Sequence, residues 1–150
     1  MQARFERFSG IISGVSYALH KIAAKELEKY GLKGPYAVYL LTVYRHPDGI
    51  TATQISELCN RDKSDVSRAM TAMEKQGLIK KSNKAIYRAE ITLTELGLEA
   101  ARRVSELSAS ALKKIDSELS SEEINDMYKA LGAIYGCLTE MIEGGIPTDV

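Results

Sequence analysis

The stretch ITATQISELCNRDKSDVSRAMTAMEKQGLIKKSNKAIYRAEITLT, residues 50–94, decides the fold. Thr51 is placed to cap a helix, and Gln54 follows three residues later, the spacing of a capping box. Ile55, Leu58 and Cys59 then make an apolar stripe at helical spacing. Asn60 stands where that helix should end, because Asn tolerates the left-handed conformation that closes helices. Asp62 is the expected cap of a second helix. Asp65 would form a weaker box with it and adds a favourable charge near the helix N-terminus. Val66, Ala69, Met70 and Met73 line one face of this helix; Lys63, Ser64, Ser67, Arg68 and Thr71 line the other, and Gly77 ends it. This is the pattern of a helix-turn-helix, whose second helix packs on one side and leaves the other free for a DNA major groove.

The remainder of the stretch supports that reading. Leu78 to Lys81 and Ala89 to Leu93 read as short strands with apolar residues at alternate positions, bracketing the polar, basic segment Ser82 to Arg88. A helix-turn-helix followed by a two-stranded hairpin is a winged helix. The expected fold is therefore mainly α with a small antiparallel β-wing.

ISELCNRDKSDVSRAMTAMEKQGLI, the wing after it, and LTELG at 93–97 together resemble the MarR family of bacterial and archaeal regulators. The resemblance covers nearly the whole chain: a leading helix, GLKGPYAVYLL ahead of the DNA-binding unit, and two long trailing helices. LTxxG alone is a weak motif; the ordered set is specific. The resemblance implies one domain over 1–150, with a winged-helix part at about 35–94 and a dimerisation arm from helices at about 3–30 and 95–144. It implies a homodimer on double-stranded DNA with a palindromic operator, repression as the default, and release by a small ligand or by oxidation. It also implies that Ile50 pairs as a short strand with the wing.

Composition sets the limits. A chain of 150 residues with 45% hydrophobic residues suits one domain with a core. Its longest apolar stretch, around Tyr36 to Tyr44, is broken by Thr42 and too short for a bilayer. The start, MQARFERFSGII, lacks signal-peptide features, so a cytoplasmic protein is expected. Two distant cysteines make neither a disulfide framework nor a zinc set, and no metal or cofactor is expected. Net charge is zero, but its distribution is uneven. Residues 61–88 carry eight Lys/Arg against three Asp/Glu, whereas residues 116–150 carry one against eight. The positive excess falls on the second helix and the wing, as nucleic-acid binding requires.

Outside the organising stretch, Phe5, Phe8, Ile12, Val15, Leu19, Ile22 and Ala23 recur at helical steps through residues 3–30. Gly10 and Gly14 within them mark a bend or a close approach of another helix. A second helix is expected over 35–46, opened by Pro35 and closed by the turn His46-Pro47-Asp48-Gly49. Thr94 caps a long helix over 94–118 with Leu96, Leu98, Ala101, Val104, Leu107, Ala111 and Ile115 as buried candidates. Ser120 or Ser121 caps the last helix, Glu123 completing a box if the cap is Ser120, and the stripe runs from Ile124 through Met127, Leu131, Ile134, Tyr135, Leu138 and Met141 to Ile142. That stripe is too long for one small winged-helix core, which points to a dimer; an intramolecular bundle is the alternative.

The expected DNA-binding residues are Thr53, Lys63, Ser64, Ser67, Arg68, Thr71, Lys84 and Arg88. Arg68 is the base-reading candidate, because a guanidinium can donate two hydrogen bonds to guanine O6 and N7. The wing departs from the commoner family pattern, which has an Asp-x-Arg pair; here Arg88 either enters the minor groove or braces the hairpin, and Lys84 is a second candidate. Tyr17, His20, Tyr36 and Tyr39 fall in segments that the resemblance implies line a cleft for a small aromatic effector; the alternative is that they are core residues. Cys59 is expected to be inert core, Cys137 buried or interfacial, and the first helix lacks the cysteine of peroxide-sensing relatives. No catalytic motif is present. The competing class is a winged helix that binds protein instead of DNA.

Overall fold

The computed structural model describes residues 1–82 and 89–145. Along them run α1 (Gln2–Leu27), α2 (Ala37–Tyr44), α3 (Ala52–Cys59), α4 (Lys63–Lys75), β1 (Ile79–Lys81), β2 (Ile91–Leu93), α5 (Glu95–Asp116) and α6 (Ser121–Gly144). Short 3-10 turns at Glu28–Tyr30 and Gly34–Tyr36 connect α1 to α2. The second helix expected over 35–46 is thus a 3-10 turn followed by eight α-helical residues. The strands pair antiparallel, Ile79 with Leu93 and Lys81 with Ile91, and Ile50 bridges to Ile91. This is a mainly helical winged helix-turn-helix. The chain divides into two units, residues 1–109 and the remainder.

In the first unit, local chemistry sets the helix-turn-helix. The Thr51 hydroxyl accepts from the Gln54 amide at 3.3 Å, and Gln54 Oε1 accepts from the Thr51 amide at 2.9 Å. Asn60 closes α3 in the left-handed conformation at φ 50°. The turn is tied twice to Ser56: its hydroxyl donates to the Arg61 carbonyl at 2.5 Å, and its carbonyl accepts from the Arg61 amide at 3.0 Å. At the end of α4 the amides of Gly77 and Leu78 reach back to the carbonyls of Glu74 and Met73, both at 2.9 Å. This is a Schellman closure, and Gly77 takes the positive φ of 71° that it needs.

Leu27, Leu40, Ile55, Val66, Ala69, Met73, Leu78 and Ala100 are completely buried, with Tyr39, Val43, Met70, Ile91 and Val104 almost so. Each large apolar side chain among them contributes about 1.5–3 kcal/mol by leaving water.

Four expectations change. Leu58 is 62% exposed, although Ile55 beside it is buried. Ile55, Ser56 and the half-buried Ala52 and Cys59 share one face of α3, and Leu58 lies about 110° round the helix from its centre. Asp62 holds the N-cap position of α4 but makes no side-chain capping bond. The carboxylate that would complete its box, Asp65, is engaged elsewhere by Tyr39 and Arg68. Strict alternation fails at the start of the wing: Leu78 and Ile79 are both buried, because Leu78 still belongs to the helix closure. Lastly, Leu96 and Leu98 are 43% and 51% exposed. The inward face of α5 is instead Gly97, Ala100, Ala101 and Val104. Leu96 and Leu98 flank that stripe by about 100° on either side.

The small residues on α5 have a cause. The Thr94 hydroxyl accepts from the Gly97 amide at 3.0 Å and donates to the Gly77 carbonyl at 2.6 Å, while the Thr94 amide donates to the Leu78 carbonyl at 3.0 Å. These bonds draw the first turn of α5 onto the backbone before β1. A Cβ at Gly97 would lie 1.8 Å from the Leu78 carbonyl oxygen. The motif LTELG therefore records a cap and a backbone contact.

The N-terminal two-thirds of α1 carries its apolar residues outward: Phe5, Ile12, Val15 and Leu19 are all exposed. Only the end of α1, at Ala23, Ala24, Glu26 and Leu27, is buried. The helix runs unbroken through Gly10 and Gly14, and among the described residues nothing beyond the adjoining turns of α1 would approach a Cβ at either within 4 Å. In the second unit, Ser120 and Glu123 form the expected box on α6. Its backbone amide and hydroxyl hold the Glu123 carboxyl below the usual range. No residue of α6 is buried, and Tyr128, Leu131, Tyr135, Leu138 and Ile142 remain exposed, as does Ile115 at the end of α5.

Candidate nucleic-acid interface

Helix α4 separates its faces fully. Val66, Ala69, Met70 and Met73 are 0–1% exposed. Lys63, Ser64, Ser67, Arg68 and Thr71 are all on the solvent side. The five residues occur on one helix face because they interleave with the buried positions at three- and four-residue steps. Arg68 is the longest of them, its side chain 67% exposed. Thr53 lies in the first turn of α3 and is half-buried. Lys84 and Arg88 lie outside the described residues.

Two features of this surface were not legible in the residue pattern. The first is an anchor beneath it. Tyr39, on α2 and only 2% exposed, donates its hydroxyl to Oδ2 of Asp65 in the first turn of α4. The other carboxylate oxygen, Oδ1, accepts from Arg68 Nη2 at 3.5 Å. The Tyr39 hydrogen bond is the main cause holding the Asp65 carboxyl below its usual range; burial opposes it, and Arg68 and Arg61 add to it. Burial, and then the hydrogen bond to Asp65, pushes the Tyr39 phenol well above its ordinary value. The second feature is a brace: Lys81 Nζ on β1 meets Glu74 Oε2 on α4 at 2.6 Å, fixing the base of the wing to the helix. Arg61 is a further exposed cation in the turn leading into α4.

The Asp65 shift has a testable sign. A carboxyl whose folded-state pKa is depressed stabilises the fold above its unfolded pKa, and this contribution is lost as pH falls through the folded value. Wild type should therefore exceed Asp65→Asn in stability near pH 7, and the difference should shrink as pH falls below about 4. Denaturant unfolding of both proteins across that range measures it; a difference independent of pH would remove the assignment.

The four expected effector residues do not come together. Tyr17 and His20 line a groove of about 380 Å³ with Lys21, Ala24, Leu32 and Pro35, all within the first unit. Lys21 Nζ sits 5.8 Å from the centre of the Tyr17 ring. Tyr39 is not in this groove: it is core, with its hydroxyl turned to Asp65. Tyr36 packs on the same core, its ring 6.2 Å from that of Tyr39. Tyr36 ends the 3-10 turn before α2 and Tyr39 lies on α2 itself, and both rings pack on the core.

Cys59 is half-buried with Sγ 3.3 Å from the Thr42 hydroxyl, and Cys137 is exposed. Among the described residues no group of three His, Cys, Asp or Glu could hold a metal, and no helix is long and apolar enough to cross a membrane.

Residues 30–85 match the MarR family model. Solved structures resemble nearly all of the chain. A DNA complex of MepR from S. aureus is 23% identical, with TM-score 0.78 over 87% of this chain and 97% of that one. The transcriptional regulator SlyA is 25% identical, with TM-score 0.78 over 91% and 96%. A putative MarR family transcriptional regulator from Listeria monocytogenes, complexed with 26mer DNA, is 20% identical, with TM-score 0.74 over 93% and 95%. No curated protein sequence matches significantly.

Proposed function

We propose that this chain, a MarR-type winged helix in residues 30–85 and in its fold, is a dimeric, sequence-specific DNA-binding regulator of transcription. It represses from a palindromic operator and is released by a small-molecule effector. The observation that carries the reading is the face of α4. Five polar or basic residues stand exposed, back to back with a completely buried stripe, in the segment of highest positive charge. Arg68 reads a base edge. Lys63, Ser64, Ser67, Thr71 and Thr53 bind phosphate or flanking bases, and Lys84 and Arg88 serve the minor groove from the wing.

The dimer is supported by the apolar residues that the single chain leaves in water on α1 and α6. Exposed apolar stripes of this length mark association surfaces. A twofold dimer sets two α4 helices roughly 34 Å apart, in successive major grooves. The effector site is supported by the groove at Tyr17 and His20, where an aromatic ring of Tyr17 and the Lys21 cation suit a small aromatic or anionic molecule. Such a regulator works in the cytoplasm, with the DNA.

The test is binding of the purified protein to DNA upstream of its own gene, titrated across salt. With six to ten phosphate contacts, affinity should fall by about 10³–10⁵ between 50 and 200 mM salt. Unrelated competitor DNA should fail to displace the protein. A confirmed dimer with no salt-dependent DNA affinity would instead support a protein-binding winged helix.

A further inference from the structure

A polar chain leads from the buried core to the outer face of α4: Tyr39 to Asp65, and Asp65 to Arg68. We infer that Tyr39 is a positioning residue for base recognition, its hydroxyl fixing the Asp65 carboxylate that in turn directs the Arg68 guanidinium. The inference rests on the DNA-binding reading above.

The geometry assigns one carboxylate oxygen to each partner. Tyr39 takes Oδ2 and Arg68 Nη2 faces Oδ1. An exposed Asp–Arg pair three residues apart is ordinarily weak, because both side chains keep sampling rotamers. This pair differs in having one end anchored. The Tyr39 ring is held in the core, 2% exposed, so its hydroxyl has little freedom. A carboxylate bonded to it has its plane set, and Oδ1 then offers Arg68 a fixed acceptor. A preorganised guanidinium loses less freedom when it meets a base.

The arrangement also leaves Arg68 able to bind. A guanidinium has five N–H donors. Asp65 engages one, and two suffice for guanine O6 and N7. Asp65 would otherwise repel the DNA backbone. Arg68 on α4 and Arg61 in the preceding turn offset its negative charge, while the Tyr39 hydroxyl solvates it. The Asp65 carboxylate is available for this work because Asp62 caps α4 without a side-chain bond, so no capping box is formed.

A hydroxyl that merely clamped α2 to α4 would predict something different. Its loss would lower stability and weaken binding to every DNA alike. Positioning predicts a loss of discrimination confined to the base pair that Arg68 reads.

The experiment starts from full-length wild-type dimer selecting duplexes from a randomised pool. Affinity is then measured for the selected duplex, a scrambled duplex and every single base-pair variant of the selected one. The proteins are wild type, Tyr39→Phe, Asp65→Asn, Arg68→Ala and the double variant Tyr39→Phe/Arg68→Ala. Arg68→Ala should flatten preference at one base pair per half-site. Tyr39→Phe should cut discrimination at that same pair by about three- to tenfold, the worth of one ordinary hydrogen bond. Elsewhere, and on the scrambled duplex, it should stay within about twofold of wild type. The double variant should discriminate no worse there than Arg68→Ala, because the two act in series. If Tyr39→Phe fails to fold, Asp65→Asn, altered at the half-exposed end of the chain, carries the same expectation. Full discrimination retained in Tyr39→Phe or Asp65→Asn, or a loss spread evenly over all positions, overturns the inference while leaving the DNA reading intact. If wild type selects no sequence at all, that reading falls and this inference with it.

Discussion

Replacing Gly97 by alanine should destabilise the fold by about 3 kcal/mol, the upper end of ordinary overpacking costs. Two effects oppose each other. Alanine is the better helix former by about 1 kcal/mol, so on an open helix face the substitution would stabilise. At Gly97 the added Cβ would meet the Leu78 carbonyl oxygen at 1.8 Å and its carbon at 2.8 Å. Both are backbone atoms at the closure of α4, so no side chain can rotate away. Either α5 lifts from the wing, breaking the Thr94 bonds to Gly77 and Leu78, or the closure shifts. The clash wins. For a chain of this length the loss corresponds to a fall in melting temperature of about 6–12 °C. Gly10→Ala is the matched control, since among the described residues nothing beyond its own turns of helix lies within 4 Å of an added Cβ. Thermal unfolding of both variants decides the matter. A Gly97→Ala protein as stable as wild type would mean that α5 does not start against Leu78.

The second large effect concerns Arg68. On the proposed function, Arg68→Ala should cost about 1–3 kcal/mol at one base position per half-site. A symmetric dimer makes that contact twice, so the whole operator should lose about 2–6 kcal/mol, if the half-sites act independently. Stability should change little, because the side chain is two-thirds exposed and its pair with Asp65 is long at 3.5 Å. This separates recognition from folding. Binding to scrambled DNA should fall far less, since only one phosphate-attracting charge per protomer is removed. Titration of operator and scrambled duplexes at one salt concentration measures both. Equal affinity of the variant and wild type for the operator and for all other sequences would strip Arg68 of its role.

Some of this architecture is readable from neighbours in the chain. Thr51 with Gln54 and Ser120 with Glu123 form the boxes that their three-residue spacing announces. Asn60 and Gly77 adopt the left-handed conformations expected of helix ends. Val66, Ala69, Met70 and Met73 bury together, which puts Lys63, Ser67, Arg68 and Thr71 in solvent without further information. These outcomes depend on hydrogen bonds and periodicity within one turn or two, so composition and spacing suffice.

Other features depend on what lies across from the helix. Periodicity says that α3 and α5 have an inward face but not where its centre falls. Leucines at 58, 96 and 98 suggested one phase, and the packed neighbours impose another. On α5 the neighbour is backbone, and backbone admits Gly97, Ala100 and Ala101 where leucine would not fit. The same holds for Asp65. Three residues from Asp62, it has the spacing of a cap, yet a phenol from α2, twenty-six residues earlier, binds it more favourably. That hydroxyl is buried and must find an acceptor, whereas the α4 N-terminus can be satisfied by water. Local spacing therefore settled which elements form and which face of α4 meets solvent. Long-range packing settled which side chains anchor that face, because desolvated polar groups choose partners by proximity in space.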